Sequence, residues 1–216
     1  MTKAVLFDMD GVLLDTERVA FASWEQAADE RGVADIRSLY RQCVGMNTDD
    51  IKALLRARCG PGFDADGFYA RAGEVFREIE MTRGLDLMPS VRPCLDALAS
   101  AGYRLAVASS TRTENVRRQL AAAGIIGYFE TITCGDMVAH AKPAPDIYLQ
   151  SCASLGLAPA DCVAVEDSPN GVRAAVAAGI RCVMIPDQIQ PDGEIRARAA
   201  VVLSHLGELP AYLTAV

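Results

Sequence analysis

Side chains that could carry out phosphoryl chemistry follow the short apolar runs of this 216-residue chain. Asp8 and Asp10 come directly after the first run, and Ser109 follows the second. A loop after the third run contains Lys142, and Glu166-Asp167 follows the fourth. The carboxyl ends of parallel strands lie along one edge of a sheet, where open α/β folds bind their ligands. We therefore expect these carboxylates, hydroxyls and the ammonium group to share one site.

Such a collection of charges predicts a particular chemistry. Clustered carboxylates repel one another, and a hard divalent cation with oxygen ligands, such as Mg²⁺, would neutralise them. The Lys142 ammonium, the Ser109 hydroxyl and backbone N–H groups at a helix start near Ser110-Thr111 suit a phosphate group. The implied reaction is phosphoryl transfer, with a carboxylate as the nucleophile.

The apolar runs themselves predict buried strands of a parallel sheet, and helices that end at Gly separate most of them. This alternation favours a doubly wound, Rossmann-like α/β core. The predicted strands are Ala4–Phe7, Leu105–Ala108, Thr131–Cys134, Val163–Val165, Cys182–Ile185 and Ala200–Leu203. The predicted helices between them are Ser90–Ala101, Arg112–Ala123, Pro145–Leu155 and Pro169–Ala178.

Between the first two predicted strands the pattern becomes purely helical. We expect an all-α cap domain over residues 16–84, inserted into a catalytic core made of residues 1–15 and 85–216. Two connectors that leave one insertion can form a hinge, so the insertion could act as a lid. The helices predicted within it are Glu17–Arg31, Ile36–Cys43, Asp49–Arg58 and Asp66–Arg83.

Composition and charge exclude several functional classes. The net charge is −7 and the sequence pI is about 4.9, which argues against a nucleic-acid or membrane partner. The seven cysteines contain no Cys-x-x-Cys pair, and we expect small buried side chains in a reducing compartment. With an early acidic residue and no long apolar stretch, the chain is expected to be cytoplasmic, and we expect a monomer.

The polar segments resemble those of a known superfamily. The segment Asp8-Met9-Asp10-Gly11-Val12-Leu13-Leu14-Asp15-Thr16 is similar to the opening motif of the haloacid dehalogenase (HAD) superfamily. Ser109, Lys142-Pro143-Ala144-Pro145-Asp146 and Glu166-Asp167-Ser168-Pro169-Asn170-Gly171 resemble its second, third and fourth motifs, in the same order. The resemblance covers nearly the whole chain, including the helical cap, as in the subfamily of β-phosphoglucomutase and phosphoglycolate phosphatase.

The resemblance implies a role for each motif residue. Asp8 would be the nucleophile and a ligand of Mg²⁺. Asp10 would be the general acid and base, with its backbone carbonyl on the metal. Glu166-Asp167 would complete the metal site, while Ser109 and Lys142 hold the transferring phosphoryl group.

Other residues are candidates for contact with the rest of the substrate. The loop from Gly45 to Thr48 is either a specificity loop or a plain helix-start turn, and the stretch from Thr111 to Thr113 leaves the same two alternatives open. Trp24 is predicted to belong to the cap core. The candidate substrate-binding residues are Thr16, Gly45, Met46, Asn47, Thr48, Arg77, Ser110, Thr111 and Arg112.

The sequence as a whole predicts a Mg²⁺-dependent phosphatase that hydrolyses small phosphate monoesters, sugar phosphates by family analogy, through an aspartyl-phosphate. A sugar phosphomutase is the main alternative. The mutase branch carries a cap histidine and a cap-loop arginine where this chain has Ala20 and Thr48, which favours the phosphatase. A 2-haloacid dehalogenase would not need the acidic cluster. A non-enzymatic phospho-acceptor domain would lack the insertion and would carry its lysine last.

Overall fold

The computed structural model describes residues 2–44, 46 and 48–215, and these residues form two compact units. The helical unit is Thr16–Leu85. The sheet unit combines the residues up to Asp15 with those from Asp86 onward.

The helical unit packs its helices around an aromatic core. Trp24 is only 6% exposed, and its ring meets the rings of Tyr40 and Phe68 edge-on, at centroid distances of 5.2 and 5.3 Å. Trp24 is therefore a core residue, as predicted. The helices described in this unit are α1 (Thr16–Arg31), α2 (Ile36–Cys43), α3 (Thr48–Cys59) and α4 (Ala65–Arg83).

The sheet unit is built on a fully parallel sheet with β1 near its centre. In spatial order the strands run β3-β2-β1-β4-β5-β6. Every residue of β1 is buried, as expected for a strand covered by helices on both faces. The strands assigned among the described residues are β1 (Ala4–Phe7), β2 (Arg104–Ser109), β3 (Thr131–Cys134), β4 (Cys162–Glu166), β5 (Arg181–Met184) and β6 (Val201–Val202).

Helices follow most of these strands, which confirms the predicted doubly wound α/β core. Residues typical of helix starts are found at α8. Pro169 takes the first helical position, and the Ser168 hydroxyl accepts a hydrogen bond from the Gly171 N–H at 3.1 Å. The helices assigned here are α5 (Val91–Ser100), α6 (Thr113–Ala122), α7 (Asp146–Leu155), α8 (Pro169–Ala177), α9 (Gly193–Arg198) and α10 (Leu209–Ala215).

The two connectors of the helical insertion meet in the sheet unit. The Asp15 N–H donates to the Asp86 carbonyl at 2.9 Å, and the Met88 N–H donates to the Leu13 carbonyl at 3.0 Å. Leu14 and Leu87 form an antiparallel bridge between these contacts. The insertion therefore leaves and re-enters the sheet unit at one point.

Two details differ from expectation. The sixth strand is Val201–Val202 instead of Ala200–Leu203, although the N–H groups of Ala200 and Leu203 still donate to carbonyls of β5 at 2.8 Å. Cys59 is exposed, while the other six cysteines are buried thiols. Of the helices described, none has the length and apolar character that a bilayer crossing requires.

Candidate active site

A tight turn after β1 carries both aspartates of the first motif. The N–H groups of Leu13 and Leu14 donate to the Met9 carbonyl at 2.9 and 3.0 Å. Gly11 has a φ of +75°, and a Cβ added there would lie 2.5 Å from Oδ2 of Asp167. Only glycine allows both this backbone conformation and so close an approach. The turn therefore brings the first motif against the fourth.

Lys142 provides the positive charge of the site. Its Nζ lies 2.7 Å from Oδ1 of Asp8 and 2.6 Å from Oε1 of Glu166, and it also donates to the Ala108 carbonyl at 3.0 Å. The side chain is only 7% exposed. The two carboxylates raise the pKa of Lys142 by more than burial lowers it. The ammonium is thus held in its charged form beside Asp8.

Glu166 is fully buried and hydrogen-bonded on both oxygens. Its Oε1 accepts from the Tyr148 hydroxyl at 2.7 Å as well as from Lys142, and its Oε2 accepts from the Ser168 hydroxyl at 3.3 Å. Gly171 leaves the space that this carboxylate occupies, since a Cβ there would lie 1.9 Å from the carboxyl carbon. Burial and the charge of Glu166 hold the pKa of Tyr148 far above its ordinary value, so the phenol keeps the proton that it donates.

Asp10 is held by a different set of groups. Its Oδ2 accepts from the Thr111 hydroxyl at 2.9 Å and makes a longer contact of 3.5 Å with the Ser109 hydroxyl. The Thr111 N–H in turn donates to the Ser109 hydroxyl at 3.1 Å. The loop after β2 therefore orients the second aspartate.

Three carboxylates in the described part of the chain lie close enough together to bind one metal ion. Asp8, Glu166 and Asp167 each offer an oxygen within 4.8 Å of the others. Burial, together with the neighbouring carboxylates, raises the pKa of Asp8 to about 7 and that of Asp167 to about 9, despite the opposing charge of Lys142. One ammonium does not neutralise three buried carboxylates. A hard divalent cation would, and the all-oxygen donor set fits Mg²⁺.

The first residue of α6 is hydrogen-bonded to an acidic side chain of the protein. The helix begins at Thr113, whose N–H and hydroxyl both donate to Oδ1 of Asp136, at 3.0 and 2.7 Å. The Thr113 N–H therefore has a partner within the protein, and phosphate binding by the N–H groups near Ser110-Thr111 stays a prediction. Ser110 and Arg112 are exposed, and the structure shows no hydrogen bond from either side chain to the described acidic residues.

The remaining predicted substrate contacts belong to the helical unit. Thr16 begins α1 and is buried, while Thr48 begins α3 and is exposed. Arg77 is exposed on α4. Gly45 and Asn47 lie outside the described residues.

A cavity of about 230 Å³ opens within the helical unit, next to the segment that follows α2. The Tyr40 hydroxyl donates to the Glu17 carboxylate at 2.7 Å in its wall. Aromatic and aliphatic side chains line the rest, so the cavity combines apolar surface with a few polar groups, as small-molecule sites do. Its lining residues are Glu17, Ala20, Trp24, Tyr40, Cys43, Val44, Met46, Ile51 and Tyr69.

Sequence reasoning missed two residues near the cluster of three carboxylates. Tyr148 lies inside α7, where its spacing indicates only a core position. Asp187 follows the fifth apolar run, which was a usable signal. Its buried Oδ2 has no hydrogen-bond partner among the described residues and would lie 3.4 Å from a Cβ at Gly11. Burial raises the pKa of Asp187.

Known proteins are similar to this chain over most of its length. A phosphorylated carbohydrates phosphatase of Thermotoga maritima is 32% identical over 93% of this chain and 92% of its own length. A beta-phosphoglucomutase of Bacillus subtilis is 30% identical over 84% of this chain and 82% of its own. The crystal structure of CbbY from Rhodobacter sphaeroides in complex with phosphate aligns with a TM-score of 0.78 at 30% identity, covering 97% of this chain and 96% of that one.

The family model of haloacid dehalogenase-like hydrolases matches residues 2–179. This span contains Asp8, Asp10, Ser109 and Lys142 as well as the Glu166-Asp167 pair, and the sheet edge brings these residues together. The chain therefore belongs to the haloacid dehalogenase-like hydrolases and is an enzyme that hydrolyses phosphoric monoesters.

Proposed function

We propose that this enzyme is a Mg²⁺-dependent phosphatase that forms a phosphoryl-enzyme on Asp8. The observation that carries the proposal is the 2.7 Å contact between Lys142 Nζ and Asp8 Oδ1, inside a cluster of three carboxylates at the sheet edge. The ammonium orients the Asp8 carboxylate and favours its ionised form, against the burial that raises its pKa to about 7. The same ammonium can balance the negative charge of an incoming phosphoryl group.

In the first half-reaction an oxygen of Asp8 attacks phosphorus. The bond from phosphorus to the ester oxygen breaks, and Asp10 gives its proton to the leaving oxygen. Asp10 suits this task because it lies on the same turn as the nucleophile. The Thr111 hydroxyl orients its carboxylate by donating to Oδ2 at 2.9 Å. The products are an aspartyl-phosphate on Asp8 and a free alcohol.

In the second half-reaction water attacks the aspartyl-phosphate. Asp10, now ionised, takes the proton from the water, and the bond between phosphorus and the Asp8 oxygen breaks. Inorganic phosphate leaves, and both aspartates return to their starting states. Ser109 and Lys142 hold the phosphoryl oxygens in both steps.

The carboxylates of Asp8 and Asp167 and the backbone carbonyl of Asp10 would hold the metal, with Glu166 next to them. When bound, Mg²⁺ would neutralise these carboxylates and the charge that develops on the phosphoryl oxygens. The raised pKa values of Asp8 and Asp167, about 7 and about 9, support a site built for a cation.

For the substrate we propose small phosphorylated sugars. Relatives named for phosphorylated carbohydrates and for phosphoglucose support this class. The cavity of the helical unit supports it too, because the Glu17 carboxylate and Tyr40 hydroxyl can bond sugar hydroxyls while aromatic side chains cover the ring. In this proposal the helical unit acts as the cap that recognises the alcohol part of the ester.

A sugar phosphomutase is the second candidate, because a beta-phosphoglucomutase is among the relatives. A mutase must return the phosphoryl group from the aspartate to a second sugar hydroxyl before water arrives. The chain has Ala20 and Thr48 where that branch carries a histidine and an arginine. We therefore favour transfer to water.

A panel of sugar phosphates and other phosphate esters tests the function directly. With Mg²⁺ we expect release of inorganic phosphate, and with excess chelator we expect turnover to stop and to return when Mg²⁺ is restored. Full turnover in chelator would contradict the metal dependence. An isomeric sugar phosphate formed without inorganic phosphate would identify the mutase instead.

The covalent step has its own test. On an ester with a good leaving group, which needs no proton from Asp10, the Asp10→Asn variant should form the intermediate and hydrolyse it slowly, so acid-quenched protein should carry one phosphoryl group on the peptide that contains Asp8. Protein with Asp8→Asn is the matched control and should carry none. Rapid turnover without any phosphorylated peptide would contradict the aspartyl-phosphate.

A further inference from the structure

Tyr148 contacts both members of the ion pair beside the nucleophile. It lies on α7 and is completely buried. Its hydroxyl is 2.7 Å from Oε1 of Glu166, the same oxygen that accepts from Lys142 at 2.6 Å. The centroid of its ring lies 5.2 Å from Lys142 Nζ, within the range of a cation–π contact. One side chain thus touches the carboxylate through its hydroxyl and the ammonium through its ring.

We propose that Tyr148 is a positioning residue for phosphoryl transfer, which fixes the Lys142–Glu166 pair so that the ammonium meets Asp8. This inference rests on the function proposed above and adds a residue to it.

The need for such a residue follows from the flexibility of the side chains involved. A lysine side chain has four rotatable carbon bonds, and its charge can occupy many positions. Glu166 also has several rotamers unless its oxygens are bound. Tyr148 and Ser168 bind the two oxygens of Glu166, and the absence of a side chain at Gly171 sets where the carboxylate can lie. The lysine is then anchored to the fold on its Glu166 side.

This anchor matters most after the first chemical step. Once Asp8 is phosphorylated, it no longer offers a free carboxylate to Lys142. Glu166 and the Ala108 carbonyl remain as acceptors, at 2.6 and 3.0 Å. With Tyr148 in place, Glu166 keeps its orientation, and Lys142 stays where the phosphoryl oxygens are. Such placement must hold to a fraction of an ångström for catalysis to be efficient.

The test compares two tyrosine-to-phenylalanine variants of the full-length protein. Tyr148→Phe removes one oxygen and keeps the ring. Tyr103→Phe is the matched control, since Tyr103 lies in the same unit and its half-buried hydroxyl donates to the Leu213 carbonyl at 3.4 Å. For both variants kcat, KM and the inhibition constant of inorganic phosphate are measured with Mg²⁺ on the best ester, and folding is checked by circular dichroism.

We expect kcat of Tyr148→Phe to fall by about tenfold or more, as for loss of a hydrogen bond to a charged group. KM and phosphate inhibition should stay within about twofold, because the charges that bind the ground state remain. Tyr103→Phe should keep kcat within about twofold of wild type. This split between kcat and KM would not result from a purely structural role.

Equal kcat in the two variants would overturn the inference and leave the proposed function intact. A Tyr148→Phe protein that no longer folds at 25 °C would also overturn it, by assigning Tyr148 to core stability. If wild type turns over no phosphate ester with Mg²⁺, the proposed function fails, and this inference fails with it.

Discussion

The Thr111 hydroxyl donates to Oδ2 of Asp10 at 2.9 Å and joins the loop after β2 to the turn after β1. Thr111 was a candidate substrate contact from its place near a predicted helix start. The structure shows that its hydroxyl has a partner inside the protein. The acid and base function proposed for Asp10 therefore involves a side chain from a second loop.

Replacing Thr111 by valine should slow catalysis without a large loss of binding. Thr111→Val keeps the shape of the side chain and removes the hydroxyl, so Asp10 loses its shorter described hydrogen bond. We expect kcat to fall by about tenfold, equivalent to about 1.4 kcal/mol in the barrier. Steady-state kinetics on the best ester measure this.

Thr113→Val is the control. Thr113 lies two residues after Thr111, and its hydroxyl donates to Asp136 rather than to Asp10. Its kcat should stay within about twofold of wild type. Similar losses in both variants would show that the loop only needs its hydroxyls for folding.

Replacing Asp8 should reduce turnover more than replacing Asp10. Asp8→Asn should abolish turnover, because an amide cannot form the acyl phosphate. Asp10→Asn should slow both half-reactions by about 10²–10⁴-fold, the usual value of acid and base assistance. Rates are compared on an ester with a poor leaving group, where protonation by Asp10 is needed most. Wild-type turnover by Asp8→Asn would exclude covalent catalysis.

The metal-free protein should lose stability as the pH rises from about 5 to about 9. In the fold the pKa of Asp8 is raised to about 7 and that of Asp167 to about 9, mainly by burial. A raised carboxyl pKa contributes stability that is present below the unfolded value, near 4, and is lost as the pH rises through the folded value. Urea unfolding in chelator at about pH 5, 7 and 9 should show a decrease of several kcal/mol, since each group contributes about 1.4 kcal/mol per pH unit between its unfolded and folded pKa.

Asp167→Asn provides the control for this pH dependence. The amide cannot ionise, so the metal-free variant should be more stable than wild type near pH 9 and should show a shallower decrease. Added Mg²⁺ should reduce the slope in wild type, because it binds the ionised carboxylates. Stability of metal-free wild type that rises between pH 5 and 9 would contradict the raised pKa values.

Substitutions in the helical unit should change which ester is preferred and leave the metal requirement as it was. Glu17→Gln removes the carboxylate from the cavity wall and should shift relative kcat/KM among sugar phosphates by about 1–3 kcal/mol. Asn47→Ala and Thr48→Ala test the loop in the same way. A substrate panel measures all three variants. If each keeps the wild-type ratios, the alcohol part of the ester is recognised elsewhere.

The core of the site was predictable because of where its residues stand in the chain. Asp8, Ser109 and the Glu166-Asp167 pair each lie at the end of an apolar run, and the parallel sheet brings such ends together. Lys142 does not directly follow the third run. Its place in the site could be predicted only from its resemblance to the third motif of the family.

The contacts that orient these residues were less accessible from the sequence. Tyr148 has the spacing of a core residue on α7, and its bond to Glu166 depends on how this helix packs on the sheet at β2 and β3. The start of α6 is capped by Asp136, which lies 23 residues from Thr113 and reaches it only after β3 has joined the sheet. Contacts between side chains so far apart in the chain produce no local sequence pattern.

The junction of the insertion has a consequence for how this protein can vary. Asp15 and Asp86 are joined by a backbone hydrogen bond, and Leu14 pairs with Leu87 beside it. The loop that these contacts close can change in length at little entropic cost to the sheet unit. The segment between them is therefore an exchangeable module: it can be replaced, lengthened or reduced to a short turn while β1 and β2 keep their register. Under the function proposed above, selection can then change which ester this segment recognises without altering the residues that transfer phosphate.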